Sequence, residues 1–347
     1  MTRKKTYTTT RLTSEHGTLL VHPNSDRRPA WQRSFEPRAS VLDCGATKNA
    51  PFNPFNPPMT KPITLCVAAA QMKFADTIEG NLTKIEQISK QAARRKADVV
   101  LFPEAATTGY GCDFTGLKRK QLRDALEHVS QIARTNGIHL LVGSPVFKGR
   151  KLANCLVHFD REGRVHHCYA KCQLTPSDQR FFSPGNAVSL FEIDGIPATT
   201  IICHERRYPE LVRLACMAGA RIVFHPNAGM DALSVSKKKR NGNDGIAARA
   251  FENAVYYIFA NSVGPQGGGK WSAGDSKIVA PDMRVLQLAD NENEDLLIAN
   301  LDLTKATGKY AKESLDHPRF LSSTWKGLVR QIKAEAKRST EGFELPN

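Results

Sequence analysis

Short apolar runs alternate with amphipathic segments along most of the chain, and they predict alternating strands and helices. Strands are predicted where apolar and β-branched residues follow one another without a break, as in 65–71. Helices are predicted where apolar residues recur every three or four positions, as in 121–136, with Gly137 as the C-cap. This order predicts an α/β layered domain with mixed sheets. The predicted strands are 65–71, 98–102, 138–142, 152–159, 164–169, 188–193, 198–202, 221–225, 255–260, 277–280, 285–288 and 296–301.

The chain divides into three parts by composition. Residues 1–58 are rich in Thr, Arg, Pro and Asn and lack apolar periodicity, which is typical of a disordered or loosely docked basic extension. Residues 59–303 carry the α/β pattern, and residues 304–347 form a C-terminal tail with an amphipathic basic helix predicted at 322–338. Met59 directly precedes the first strand and is a second candidate start of translation.

Composition and charge limit the classes of protein to which the chain can belong. The apolar fraction of 41% is ordinary for a soluble globular protein, and no apolar run is long enough to span a bilayer. The N-terminus lacks the apolar stretch of a secretory signal and the eight cysteines are irregularly spaced, so we expect a cytoplasmic protein with free thiols. The net charge of +15 favours acidic partners, yet the densest basic run, 237–240, has the surroundings of a solvated loop. A basic scaffold that binds nucleic acid is therefore kept only as an alternative.

A cysteine follows one of the apolar runs directly. The run 199–202 leads into Cys203, and the chain then turns polar. Pro209 and Glu210 follow, and both residue types suit the first turn of a helix. Cys203 is therefore predicted at the carboxyl end of a buried strand, beside a helix N-terminus that favours the thiolate. The alternative is that Cys203 is a small buried hydrophobic residue, as most cysteines are.

Two further polar residues end predicted strands. Glu104 follows the strand 98–102, and Lys171 follows the strand 164–169. Because sites in layered α/β folds form at the carboxyl edge of the strands, we expect Glu104, Lys171 and Cys203 to share one pocket. A carboxylate, an ammonium and a thiol in one pocket supply a proton carrier, a charge stabiliser and a nucleophile.

The segments around these three residues resemble the signature motifs of the nitrilase superfamily, the carbon–nitrogen hydrolases. Their order and spacing match as well, and the resemblance covers about residues 63–303. The matching segments are 102–104, 169–171 and 203–210, with flanking matches at 182–186, 249–253 and 260–264.

The resemblance implies a four-layer α-β-β-α sandwich whose subunits pair, and a Glu-Lys-Cys triad of Glu104, Lys171 and Cys203 that needs neither a metal nor an organic cofactor. It implies that the backbone N–H of His204 stabilises the oxyanion together with Lys171. Many members carry a second glutamate that is bonded to the lysine. Asp178 stands at that position and is shorter by one methylene, which leaves its contact with Lys171 open.

Two arginines give the clearest indication of the substrate. Arg207, with Arg206, resembles the arginine pair that holds the substrate carboxylate in N-carbamoyl-D-amino-acid amidohydrolases, and a guanidinium suits a carboxylate bidentately. The alternative is a structural ion pair between Arg207 and Glu205 or Glu210. The pattern therefore favours, without fixing, a substrate that carries a carboxylate.

Other residues leave alternatives open. Tyr110 either lines the pocket or packs in the core, and His204 stands where true nitrilases frequently carry tryptophan, which disfavours nitrile hydrolysis. A metal site from 166–168 and Cys172 is disfavoured because neighbouring residues in a strand point to opposite faces. We therefore expect a cytoplasmic thiol amidohydrolase, a homodimer or higher homo-oligomer. It would cleave a small amide or N-carbamoyl compound, through a cysteine thioester.

Overall fold

The structure of the protein is a computed structural model that describes residues 64–236 and 245–346. The predicted N-terminal extension and the basic run 237–240 lie outside the described residues. Among the residues described, no helix has the length and apolar character that a membrane span requires.

Strands and helices alternate through the described residues. The strands are β1 (Thr64–Gln71), β2 (Val99–Leu101), β3 (His139–Lys148), β4 (Lys151–Phe159), β5 (Val165–Ala170), β6 (Phe191–Ile193), β7 (Ile196–Thr200), β8 (Ile222–Asn227), β9 (Asp231–Ala232), β10 (Tyr256–Asn261), β11 (Val263–Pro265), β12 (Lys270–Ala273), β13 (Lys277–Val279), β14 (Val285–Leu288) and β15 (Asp295–Asp302). The helices are α1 (Ile78–Arg94), α2 (Arg119–Asn136), α3 (Pro209–Met217), α4 (Leu233–Ser236), α5 (Ile246–Asn253), α6 (Lys309–Glu313) and α7 (Arg319–Ala336).

Local sequence explains where the main helices begin and end. The hydroxyl of Thr77 accepts a hydrogen bond from the Gly80 N–H at 3.0 Å and caps α1. Gly137 ends α2 in the left-handed conformation, with φ of 59°, where a residue without Cβ is favoured. Pro209 occupies the first turn of α3 with Glu210 beside it, as the sequence predicts.

Two six-stranded mixed sheets form the centre of the molecule. The first has the order β15-β1-β2-β3-β4-β5, in which β1, β2 and β3 are parallel. The second has the order β14-β13-β10-β8-β7-β6, in which β7, β8 and β10 are parallel. β1 is buried along all of its length after Thr64, as expected for a strand that is covered on both faces.

The sheets pack face to face, and each carries helices on its outer side. Leu101 and Leu156 of the first sheet pack with Phe224 and Ile258 of the second in the core between the sheets. α1 and α2 cover the first sheet, and α3, α5 and α7 cover the second. This is the α-β-β-α sandwich expected from the sequence, and that expectation is confirmed.

Two features of the described residues were not predicted. β11, β12 and β9 form a small third sheet, which short strands with Gly and Pro do not reveal in a sequence. After α7, Phe343 and Leu345 pack against the core beneath the first sheet's helices, and the Glu344 N–H donates to Phe147 O at 2.8 Å. The C-terminal tail therefore packs on the domain itself.

Candidate active site

A cavity of about 740 Å³ lies where β7 and β8 end. Cys203 follows β7, Asn227 ends β8, and both line the cavity. The predicted site residues that line it are Tyr110, Asp178, Cys203, His204, Arg206 and Arg207. Glu104 and Lys171 lie behind this wall, and both side chains are fully buried. Strand ends from both sheets thus meet at one cavity, as the arrangement of parallel strands requires.

Glu104 is held by donors from both sheets. Its Oε1 accepts hydrogen bonds from Lys171 Nζ at 2.7 Å and from Asn154 Nδ2 at 2.8 Å. Its Oε2 accepts from the backbone N–H of Ala228 at 3.1 Å, in the loop that follows β8. The carboxylate is thereby fixed in one position in a fully buried site.

Lys171 bridges two carboxylates. Its Nζ donates to Glu104 Oε1 at 2.7 Å and to Asp178 Oδ2 at 2.9 Å. Burial lowers the pKa of Lys171, but the charges of Glu104, Cys203 and Asp178 outweigh burial and raise the pKa above its ordinary value. The ammonium therefore stays charged throughout the neutral pH range.

Asp178 reaches Lys171 despite its shorter side chain, which settles the contact that the sequence left open. The residue is buried in a turn after β5, and its backbone N–H donates to Thr175 Oγ1 at 3.1 Å. Its Oδ1 accepts a short hydrogen bond from the Tyr110 hydroxyl. Burial raises the pKa of Asp178, but Lys171 and the Tyr110 hydroxyl hold the pKa below its ordinary value. Asp178 is thus an ionised partner of the lysine.

Cys203 lies beside the buried carboxylate, and its surroundings correct one expectation. Burial, followed by the negative charge of Glu104, raises the pKa of Cys203 to about 12, although Lys171 opposes the shift. The helix N-terminus was expected to favour the thiolate, and this expectation is wrong because burial and the carboxylate outweigh it. These surroundings favour the thiol over the thiolate.

The backbone at Cys203 is held in an uncommon conformation. Its φ is 53°, in the left-handed region that residues with a Cβ seldom adopt. The Nε2 of buried His225 donates to the Cys203 carbonyl at 3.1 Å, and the Tyr257 hydroxyl lies 2.9 Å from His225 Nδ1. Because a carbonyl oxygen accepts only, this pair fixes the histidine tautomer and supports the strained turn. Neither His225 nor Tyr257 was among the site residues predicted from the sequence.

Glu205 is a third residue whose part in the site the sequence did not reveal. Its buried carboxylate accepts from the backbone N–H groups of Ile202, Cys172 and Gln173, at 2.7, 2.6 and 3.1 Å. The Tyr169 hydroxyl donates to it at 2.9 and 3.0 Å. It therefore ties the chain after Lys171 to the chain before Cys203.

The remaining predicted residues lie at the cavity mouth. His204 packs against Tyr208, with ring centroids 5.7 Å apart, and burial followed by nearby cations lowers the pKa of His204. Arg207 is exposed and Arg206 is half-buried. Arg207 does not form the alternative ion pair with Glu205, because the Glu205 carboxylate accepts hydrogen bonds from the buried Ile202 N–H and Tyr169 hydroxyl.

The histidine-rich strand that suggested a metal is arranged for packing. His166 is exposed while His167 is buried, as alternation in a strand requires. The Nε2 of His167 lies 2.9 Å from the Ser189 hydroxyl, and its ring stacks on Phe191 with centroids 4.9 Å apart. Within residues 64–236 and 245–346, no group of three or more His, Cys, Asp or Glu side chains is placed to hold a metal ion.

The chain is similar to known proteins over most of its length. The model of the carbon-nitrogen hydrolase family matches residues 66–309. A nitrilase of Pyrococcus abyssi is 28% identical over 230 residues, which are 64% of this chain and 84% of that protein. The 2-oxoglutaramate amidase of Bacillus subtilis is also 28% identical over 230 residues, which are 65% of this chain and 86% of that protein.

A solved structure extends the likeness to three dimensions. The amidase from Nesterenkonia sp. AN1, determined as a double mutant in complex with acrylamide, superposes with a TM-score of 0.64 and 26% identity. The match covers 75% of this chain and 97% of that one. The chain therefore belongs to the carbon–nitrogen hydrolase family of the nitrilase superfamily and is an enzyme that hydrolyses carbon–nitrogen bonds other than peptide bonds.

Proposed function

We propose that the protein is a thiol amidohydrolase that cleaves the amide or N-carbamoyl group of a small, carboxylate-bearing molecule. The observation that carries the proposal is that Cys203 lines a cavity of about 740 Å³ while the ion-paired Glu104 and Lys171 lie directly behind it. A cavity of this size accommodates a small molecule and not a folded polypeptide.

The first step is attack by the Cys203 sulfur on the carbonyl carbon of the substrate. Because the thiol has a pKa of about 12, its proton passes to Glu104 as the carbon–sulfur bond forms. The carbonyl oxygen becomes an oxyanion, for which the Lys171 ammonium and the His204 backbone N–H are the proposed donors. The resting site already holds the lysine charge in place, so little reorganisation accompanies this step.

The following steps release the nitrogen and restore the cysteine. The tetrahedral intermediate collapses, the carbon–nitrogen bond breaks, and Glu104 gives its proton to the departing nitrogen. Ammonia leaves from a primary amide, and an amine leaves from an N-carbamoyl compound. A water molecule then gives a proton to Glu104 and attacks the thioester, and the carbon–sulfur bond breaks as the thiol takes that proton back.

The cavity mouth supports recognition of a carboxylate. Arg206 and Arg207 line it, and within the described residues neither guanidinium forms an ion pair with a carboxylate. A guanidinium without a protein partner keeps its paired donors available to a substrate carboxylate. The 2-oxoglutaramate amidase relative is named for a molecule that carries both a carboxylate and an amide.

Asn227 is a buried polar residue of the inner wall. Asn227 lines the cavity and is 5% exposed. Its Nδ2 donates to Asn261 Oδ1 at 2.8 Å, and Asn261 is itself oriented by donation to Gly274 O at 2.7 Å. Asn227 Oδ1 is buried and has no hydrogen-bond partner among the described residues.

The test is release of ammonia from a panel of ω-amides, N-carbamoyl amino acids and nitriles. We expect turnover of the amide or carbamoyl compounds, and an acyl adduct on Cys203 in the intact mass of the protein. Cys203→Ala should lose both, and Arg207→Gln should raise KM for a carboxylate-bearing amide but not for its uncharged analogue. An adduct on another cysteine would contradict the mechanism, and equal effects of Arg207→Gln on both amides would contradict the substrate class.

We also propose a homodimer in the cytoplasm. Phe251 and Phe320 are 49% and 80% exposed on helices that cover the second sheet, and exposed apolar side chains favour subunit contact. Tyr310 is also exposed, and its ring centroid is 6.3 Å from that of Phe251. Light scattering should give a dimer mass for the wild type and a monomer for Phe251→Asp. A wild-type monomer would contradict the proposal.

A further inference from the structure

Tyr110 touches both the cavity and the buried charges behind it. Its side chain lines the cavity, while its hydroxyl donates to Asp178 Oδ1. The other oxygen of that carboxylate, Oδ2, accepts from Lys171 Nζ at 2.9 Å and from the Thr175 N–H at 3.0 Å. A continuous chain of hydrogen bonds therefore leads from the cavity wall to the lysine.

We infer that Tyr110 is a positioning residue that holds the Lys171 ammonium in place through Asp178. The inference rests on the proposed function, because it assigns a use to the lysine in that chemistry. It also changes the expected part of Tyr110, which the sequence suggested only as a residue that lines the pocket or packs in the core.

The geometry requires such a support. Asp178 reaches Lys171 with only one methylene, so rotation of the carboxylate about its last bond changes the distance to the ammonium directly. Thr175 fixes one oxygen, and among the described residues Tyr110 supplies the hydrogen bond that Oδ1 receives. The ring of Tyr110 is itself held by an edge contact with Phe114, whose ring centroid is 5.9 Å away. Removal of the hydroxyl leaves a buried carboxylate oxygen without a donor.

The balance of charges around Lys171 supports the same inference. Glu104 and Asp178 are two carboxylates around one ammonium, and all three side chains are fully buried. The surplus negative charge must be stabilised by neutral donors, which the Tyr110 hydroxyl supplies on the side away from Glu104. Without it, Asp178 becomes more basic and draws Lys171 away from Glu104 and from the place where the oxyanion forms.

The experiment compares Tyr110→Phe with the wild type on the best substrate of the amide panel. We expect kcat to fall about tenfold with KM changed less than twofold, because a positioned donor acts on the oxyanion more than on the bound substrate. The acid limb of the pH–rate profile should move to higher pH, because Asp178 loses a hydrogen bond that favours its charged form.

A matched control and a rescue variant distinguish a positioning role of the hydroxyl from a general loss of packing. Tyr256→Phe removes another partly buried hydroxyl, which donates to Asp302 O at 3.0 Å outside the cavity, and it should leave both kcat and the pH profile unchanged. Adding Asp178→Glu to Tyr110→Phe should restore much of kcat, because the longer carboxylate reaches Lys171 without the hydroxyl.

Three results would overturn the inference: a change in KM alone, an unmoved acid limb, or no rescue by the longer carboxylate. A Tyr110→Phe enzyme with wild-type kcat, alongside an inactive Cys203→Ala, would overturn the inference and leave the proposed function standing. If Cys203→Ala keeps full activity, the proposed function itself fails.

Discussion

Replacement of Glu205 by glutamine is a sharp test of how the site is held together. The two side chains have the same size, so the change removes only the charge and half of the accepting capacity. The carboxylate receives three backbone N–H groups, at 2.7, 2.6 and 3.1 Å, and the Tyr169 hydroxyl at 2.9 and 3.0 Å. No rotation of an amide can accept from all of them.

The magnitude follows from the better of the two amide orientations. If the glutamine oxygen takes the Oε1 position, it keeps the N–H groups of Cys172 and Gln173, and its NH₂ group then faces the Ile202 N–H at the former 2.7 Å contact. One buried donor is left unpaired, at about 1–3 kcal/mol, and the charge-assisted part of the remaining bonds is lost. We expect Glu205→Gln to lower the free energy of unfolding by about 2–4 kcal/mol.

Urea-induced unfolding, followed by circular dichroism, measures this difference. The control is Glu294→Gln, because Glu294 Oε1 also accepts from a backbone N–H and from a lysine, both at 2.8 Å, but at the surface. We expect the control to cost less than about 1 kcal/mol. A Glu205→Gln protein no less stable than the control would refute the account of this carboxylate. Its kcat should also fall, since the bonds connect the chain after Lys171 to the chain before Cys203.

Three further results are expected. Glu104→Gln should abolish amide hydrolysis and yet lower the pKa of the Cys203 thiol below about 12, because the carboxylate charge is gone. The ultraviolet absorbance of the thiolate, followed against pH, measures this pKa. An unchanged pKa would contradict the contact between Glu104 and Cys203. Burial lowers the pKa of His158 well below its ordinary value of 6.5. Below pH 6.5 the unfolded chain therefore binds more protons than the folded one, and the free energy of unfolding falls as the pH drops through 6.5. Urea titrations at several pH values should show a shallower fall for His158→Gln. Gly143→Ala should lower the melting temperature strongly, because a Cβ there would lie 2.8 Å from Glu104 Cα, while Gly327→Ala, with nothing within 4 Å, should not.

The succession of strands along the chain, and the position of three polar residues at strand ends, could be predicted because both depend on local patterns. Glu104, Lys171 and Cys203 each follow an apolar run, and parallel strands bring their carboxyl ends to one edge. The predicted helices and strands of the described residues are present, with bounds that differ by a few residues. Burial of both faces of each sheet explains why those runs are so uniformly apolar.

Residues that act by holding others carry no such pattern. Glu205 looks like one more charged residue after Cys203, and His225 looks like a polar residue in an apolar strand. Their importance comes from partners that are distant in sequence: Tyr169 for the glutamate, and Tyr257 for the histidine. Periodicity describes which side of an element is buried and cannot say which buried polar groups will meet.

The apolar pattern predicted the layered architecture, because the burial of each strand and helix is visible in the spacing of its apolar residues. The spacing of three motifs predicted the type of chemistry. The protonation of Cys203 and the reach of Asp178 were fixed instead by packing, since each depends on charges and donors that the chain brings together from separate strands. The sequence therefore predicted where the cysteine lies, and the fold set the carboxylate and the burial that raise its pKa. Electrostatic energies depend on distance and burial in space, which no local stretch of sequence specifies.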